Sequence, residues 1–260
     1  MTLLEAHGVT KAFGGLRAVD AVDFSVSAGA IAGIIGPNGA GKTTLFNIIA
    51  RSCPATSGRI TFLGEDVTAL GAHDMARRGL VRTFQTTAVF TTGTVLESVA
   101  VGYAQRARSG LWDAVLRTRR FEREERATRD AAREAVEFVG LASVAERAVT
   151  SLSQEQQKRL ALALALVARP RLLLLDEPFA GVNGDQMRGL AGLIGKIAQH
   201  GVTICLIEHQ MRVVMGLCQR ITVLNHGRKI AEGSAEEIQR DPAVIEAYLG
   251  HTSGANQPPC

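Results

Sequence analysis

The sequence predicts an α/β chain whose buried sheet is interrupted by a helical insertion. Three observations carry that reading. Short β-like runs alternate with turns over residues 1–85, and strand-like and helical runs alternate again after Leu160. The glycine-rich stretch GPNGAGKTT (36–44) stands between an apolar run and a helix-forming one. Between these parts, from about Thr86 to Thr150, the composition turns helix-forming and charged.

Taken along the chain, DFSVSAG (23–29), AIAGIIG (30–36) and GRITFLG (58–64) read as strands, and a helix starts after GPNGAGKTT. In the insertion, RRFEREERATRDAAREAVEFVGL (119–141) places Thr128, Ala131, Ala132, Ala135, Val136 and Val139 at helical spacing. Its charges are interleaved in sign, which reads as a solvated helix face rather than a nucleic-acid patch. Further on, LLLLDEP (172–178) and VTICLIEH (202–209) have the continuous apolar character of strands buried on both faces, and the helical GDQMRGLAGLIGKIAQHG (184–201) separates them. The polar tail HTSGANQPPC (251–260) is rich in turn formers and is expected to be disordered. The chain therefore divides into a first part of a core over 1–85, a helical subdomain over 86–159, a second part of the core over 160–250, and the tail.

Composition narrows the classes of function. A 46% hydrophobic chain of 260 residues can bury a large core, and its formal charge of +4 is spread along the chain rather than blocked into a basic tail. No nucleic-acid partner is expected. The apolar run LALALALVA (160–168) is cut short by Arg169, Pro170 and Arg171, below the ~18 to 20 residues that a membrane span needs. The N-terminus meets Glu5 before any long apolar region, which argues against a secretory signal and for the cytoplasm. Cys53, Cys205, Cys218 and Cys260 are scattered without metal-ligand spacing, so neither a disulfide framework nor a cysteine metal site follows.

Two motifs carry chemistry. GPNGAGKTT, from Gly36 through Pro37, Asn38, Gly39, Ala40, Gly41, Lys42 and Thr43 to Thr44, fits the phosphate-loop pattern G-x-x-x-x-G-K-[ST]. Its glycines let backbone N–H groups converge on phosphate oxygens, and the following helix N-terminus adds partial positive charge. Lys42 is placed for the β- and γ-phosphates, and the Thr43 hydroxyl for Mg²⁺. In LLLLDEP a buried strand ends in two carboxylates. It offers Asp176 to Mg²⁺ through water and Glu177 as base for the attacking water.

With these residues the chain resembles the ATP-binding-cassette (ABC) ATPases of transporters over its whole length. The resemblance implies a P-loop NTPase core with an N-terminal antiparallel β subdomain and a helical subdomain, using ATP and Mg²⁺. It also implies further site residues: Phe13 in KAFGG stacking on adenine, and Gln85 in RTFQ meeting Mg²⁺ and the membrane subunit. Asn183 in AGVN ends the loop between two subunits, and His209 in LIEH holds the γ-phosphate. Residues 206–250 and the segment RSGLWDAVLRTRRFEREE (108–125) are similar to the longer ATP-binding subunit of branched-chain amino-acid importers. That similarity implies a second, different ATPase subunit, integral membrane permeases, indirect service to a periplasmic binding protein, and a peripheral place on the cytoplasmic face of the membrane. The ATPase of lipopolysaccharide export and non-transport cassette ATPases are the alternatives.

One stretch departs from the family pattern. SLSQEQQKRL (151–160) begins and ends like the signature LSGGQ, but Gln154 and Glu155 stand where the family has two glycines. Ser153 and Gln156 make an S-x-x-Q capping box, so a helix starts well there. In the family this loop reaches the γ-phosphate held by a partner subunit. Glu155 is expected to bring negative charge to that place, at about 1 to 4 kcal/mol for like charges ~4 Å apart.

Overall fold

A computed structural model describes residues 1–83, 93–104 and 119–249. Gln85, most of the 108–125 segment and the tail expected to be disordered lie outside the described residues. Among those described, the strands form two sheets. The first takes β1 (Thr2–Phe13), β2 (Leu16–Ser27), β4 (Ser57–Phe62) and β5 (Glu65–Asp66) in the order β2-β1-β4-β5. Its ladders are antiparallel. The long strand β1 escaped the sequence reading, although Leu4, Ala6 and Val9 are buried on it.

The second sheet takes β3 (Ile31–Ile35), β6 (Leu80–Thr83), β7 (Leu172–Asp176), β8 (Thr203–Ile207), β9 (Arg220–Asn225) and β10 (Arg228–Gly233) in the order β10-β9-β3-β8-β7-β6. The ladders of β3 with β8 and β9, and of β7 with β8, are parallel, while β9 and β10 form an antiparallel hairpin. Every residue of β3, β7 and β8 is buried. This is why their sequences are unbroken apolar runs instead of alternating ones.

The helices follow the expected signals. Helix α1 (Lys42–Ile49) starts directly after the glycine-rich loop and buries Leu45, Phe46, Ile48 and Ile49. It is followed by α2 (Ala72–Arg77), and then by α3 (Val95–Ala104) and α4 (Arg119–Phe138). The predicted apolar stripe of α4 continues past its end, with Ala132, Ala135, Val136 and Val139 buried. Helix α5 (Gln154–Val167) packs with α3 and α4 and starts on the predicted capping box. The Ser153 N–H donates to Gln156 Oε1 (3.0 Å), and the Gln156 N–H donates to Ser153 Oγ (3.3 Å). After α6 (Gly184–Gln199) come α7 (Met211–Leu217), α8 (Ala235–Arg240) and α9 (Pro242–Leu249).

The chain forms two compact units: one of residues 1–82, 171–179 and 194–260, the other of residues 83–170 and 180–193. The first unit's core runs through both of its sheets and α1, including Leu4, Val22, Ile34, Phe46, Ile60, Phe62, Leu174 and Ile207. Two of the cysteines are buried in it. Burial raises the Cys218 thiol to about 12 and the Cys205 thiol well above its usual value, so both are inert hydrophobes. Leu174 sits in the middle of a strand with every residue buried. Leu174→Ala is therefore expected to cost about 2 to 5 kcal/mol of unfolding free energy, measured by urea denaturation.

Candidate nucleotide site

The glycine-rich loop takes its shape from backbone positions that no other residue can fill. Gly36 (φ +149°) and Gly41 (φ +97°) lie in the left-handed region, and Gly41 is the N-cap of α1. A Cβ on Gly36 would stand 2.1 Å from the Leu224 carbonyl oxygen, and one on Gly41 would stand 2.3 Å from that of Ala18. Both sites demand glycine on space as well as on angle. The loop is tied further by the Gly227 N–H donating to the Ala40 carbonyl (3.1 Å).

Lys42 opens α1 and folds back over the loop, donating to the carbonyls of Gly36 (2.7 Å) and Pro37 (2.9 Å). Burial pulls its ammonium below the ordinary lysine value, while the charges of Glu177 and Asp176 oppose that shift. The phosphate-loop cation and both carboxylates of LLLLDEP therefore share one neighbourhood. Thr43, Asn38 and Gly39 are exposed on the loop, and Thr44 is half-buried. A loop of this kind, with a helix start and an ammonium, has the chemistry of a polyphosphate cradle.

Asp176 ends β7 and is buried. Its Oδ2 accepts from Arg82 Nη2 at 2.7 Å, whereas Oδ1 is buried without a hydrogen-bond partner among the described residues. An orphaned carboxylate oxygen beside a phosphate loop suits a hydrated divalent cation, so the residues present fit Mg²⁺. Glu177 follows in the left-handed region (φ +47°), with its N–H on the Ile207 carbonyl (3.0 Å). For a non-glycine residue this conformation is costly, and such strain is characteristic of functional sites. His209 Nδ1 lies 4.0 Å from Glu177 Oε1 and 3.8 Å from Glu208 Oε2.

Glu208 is a positioning residue that the sequence reading passed over in LIEH. Its side chain is fully buried at the end of β8. Oε1 accepts the Phe179 N–H (3.0 Å), and Oε2 accepts the N–H groups of His209 (3.0 Å) and Gln210 (3.3 Å). One carboxylate thus holds the backbone on both sides of the site, just after Glu177 and at His209. A carboxylate following a buried apolar strand was the available signal. Only the fold shows that two separate loops come to it.

Phe13 is 54% exposed at the end of β1, so it is not a core residue. The Lys11 ammonium lies 5.1 Å from its ring centroid while donating to the Pro54 carbonyl (2.8 Å). Asn183 is exposed in the other unit. There the SLSQEQQKRL stretch departs from the electrostatic expectation. Glu155 forms an i,i+4 ion pair with Arg159, and its side chain is only 13% exposed. Arg159 Nη1 also donates to the Val139 carbonyl at 2.7 Å. The charge of Glu155 is compensated inside its own helix, so what distinguishes this stretch is side-chain bulk where glycines would be, more than bare negative charge. The Gln154 amide lies against Gly181, which brings the start of α5 to the AGVN stretch.

Comparison with known proteins identifies the family. The model of the ABC transporter family matches residues 19–180, and that of the branched-chain amino acid ATP-binding cassette transporter matches residues 228–252. The chain is 40% identical over 249 residues to the high-affinity branched-chain amino acid transport ATP-binding protein BraF of Pseudomonas aeruginosa, covering 95% of this chain and 98% of the relative. It is 41% identical, with the same coverage, to the corresponding LivG protein of Salmonella typhimurium. Among solved structures, the ADP conformation of an ATP-binding cassette of an ABC transporter superposes with a TM-score of 0.84 at 31% identity, covering 96% of this chain and 99% of that one.

Removing the Glu208 carboxylate strands three backbone N–H groups. Glu208→Ala is expected to lower unfolding free energy by about 3 to 5 kcal/mol, and Glu208→Gln by less, since one acceptor survives. Chemical denaturation of the two variants beside the unchanged chain measures the difference.

Proposed function

The chain belongs to the ATP-binding-cassette ATPases of ABC transporters, and from that premise we propose that it is the ATP-hydrolysing subunit of an importer for branched-chain or related amino acids. The observation that carries the chemical part is the meeting of Lys42, Asp176 and Glu177 in one neighbourhood, with His209 4.0 Å from Glu177. The substrate class rests on the relatives' names and on the match at residues 228–252. No residue of this chain reads the transported molecule. Those same relatives favour amino-acid import over lipopolysaccharide export or a non-transport role.

In this reading Phe13 stacks on adenine, and the loop from Gly36 to Thr44 wraps the phosphates. Lys42 leaves its loop carbonyls to hold the β- and γ-phosphates. Thr43, Gln85 and, through water, Asp176 hold Mg²⁺, which when bound offsets phosphate charge. Glu177 takes the proton of the attacking water, and His209 contacts the γ-phosphate. Among the described residues no helix is long and apolar enough to cross a membrane. Binding of the chain to permease subunits from the cytoplasmic face, beside a second and different ATPase, completes the assembly. Copurification with an integral membrane protein tests that placement, and its absence would favour a non-transport cassette.

Glu177→Gln is expected to keep nucleotide binding and abolish turnover in the assembled transporter. Wild-type turnover in that variant would remove Glu177 from the role of base.

The altered signature supports an asymmetric pair. This chain's Gln154 and Glu155 face the partner's phosphate loop, so the impaired site is the partner's, and this chain's carboxylates serve the competent one. ATPase assays of the reconstituted complex are expected to show a large loss for Glu177→Gln and a small one for the equivalent change in the partner. Gln154→Gly combined with Glu155→Gly makes the partner's change costly. Equal losses, unaffected by restoring the glycines, would show that both sites turn over.

A further inference from the structure

Arg82 stands at the edge of the six-stranded sheet on β6, with a side chain only 11% exposed. Its Nη2 donates to Asp176 Oδ2 (2.7 Å), and its Nη1 donates to Asn47 Oδ1 (2.5 Å). The guanidinium carbon lies 5.9 Å from the Phe46 ring centroid. Asn47 and Phe46 belong to α1, the helix that the phosphate loop opens into. One largely buried cation thus joins the phosphate-loop helix to the carboxylate that ends β7.

We propose that Arg82 is a positioning residue that divides the Asp176 carboxylate, fixing Oδ2 and turning Oδ1 toward Mg²⁺, and that its charge sets how much Mg²⁺ the nucleotide site demands. This rests on the reading of Asp176 as a holder of Mg²⁺. A buried carboxylate needs compensation; the Lys42 ammonium acts on this one from the phosphate loop, and the charge that can meet its oxygens directly is the fixed guanidinium or the exchangeable metal. With the guanidinium in place Asp176 is neutralised before metal arrives, so the loop survives without Mg²⁺ and metal binds less tightly. Without it, Asp176 depends on the metal. Arginine suits the task because its planar fork reaches Asp176 and Asn47 together while its face covers Phe46.

The test uses the full chain, stripped of metal, at fixed ADP. The melting temperature is followed as Mg²⁺ is titrated, for the unchanged chain, Arg82→Gln, Arg82→Met, Arg82→Lys and Asp176→Asn. The neutral variants are expected to melt lower without Mg²⁺, to regain most of the loss when it is saturating, and to reach half-effect at about tenfold lower Mg²⁺. Arg82→Lys keeps the charge and is expected to keep the original Mg²⁺ midpoint. An equal melting loss with and without Mg²⁺ at an unchanged midpoint would reduce Arg82 to a packing residue and overturn the proposal. So would neutral variants that stay unfolded even in saturating Mg²⁺ and ADP. Asp176→Asn separates the premise from the inference. If it leaves the Mg²⁺ midpoint unchanged, the metal reading of Asp176 fails. If it weakens Mg²⁺ binding while Arg82→Gln and Arg82→Met do not strengthen it, only the role of Arg82 fails.

Discussion

The first unit's site depends on how closely the phosphate loop presses on backbone from two other strands. Gly36 lies under the Leu224 carbonyl of β9, and Gly41 under the Ala18 carbonyl of β2, with no room for a Cβ at either place. The Gly227 N–H then reaches the Ala40 carbonyl, and the Asp20 N–H reaches the Gly227 carbonyl. The loop is therefore held between an element of each sheet. Its N–H groups are presented in a fixed shape before any ligand arrives, and a preformed anion site loses little entropy on binding.

Within each of the two units, charge withdrawn from solvent is handled by nearby partners, and three carboxylates show three ways of doing it. Glu208 is satisfied by backbone N–H groups, Asp176 by a guanidinium on one oxygen, and Glu155 by an arginine one turn along its own helix. An unpaired buried charge costs several kcal/mol, so each arrangement constrains the elements that supply the partners. Glu208 couples the segment after Glu177 to that around His209, and Arg82 couples α1 to β7. Asp176 alone among the three keeps a buried oxygen uncommitted among the described residues, which is the observation behind its proposed role toward Mg²⁺.

Most of the scaffold was legible because its signals are local. The unbroken apolar runs of β3, β7 and β8, the glycines before Lys42 and the Ser153 box each follow from neighbours within a few residues. Strand β1 was harder. Its register against β2 shifts several times, and it pairs on its other side with β4, so no simple alternation marks it. Arg82 and Glu208 were passed over because nothing beside them in the chain explains a charge. Asp176 is 94 positions from Arg82, and Phe179 is 29 from Glu208.

The sequence by itself determined the α/β class, the phosphate loop, the paired carboxylates at the end of a buried strand and the departure from the signature glycines. Each of these is a matter of residue type at fixed spacing. Tertiary structure alone decided how the charges of Asp176 and Glu208 are compensated. In the sequence, each is a carboxylate at the end of an apolar run with no partner beside it. In the fold, Arg82 comes to Asp176 from another strand and the Phe179 N–H comes to Glu208 from another loop, whereas the pairing of Glu155 with Arg159 is a single helical turn and needs only the local period. The physical reason is that helix and strand periods place groups locally, whereas electrostatic energy depends on distances across the fold.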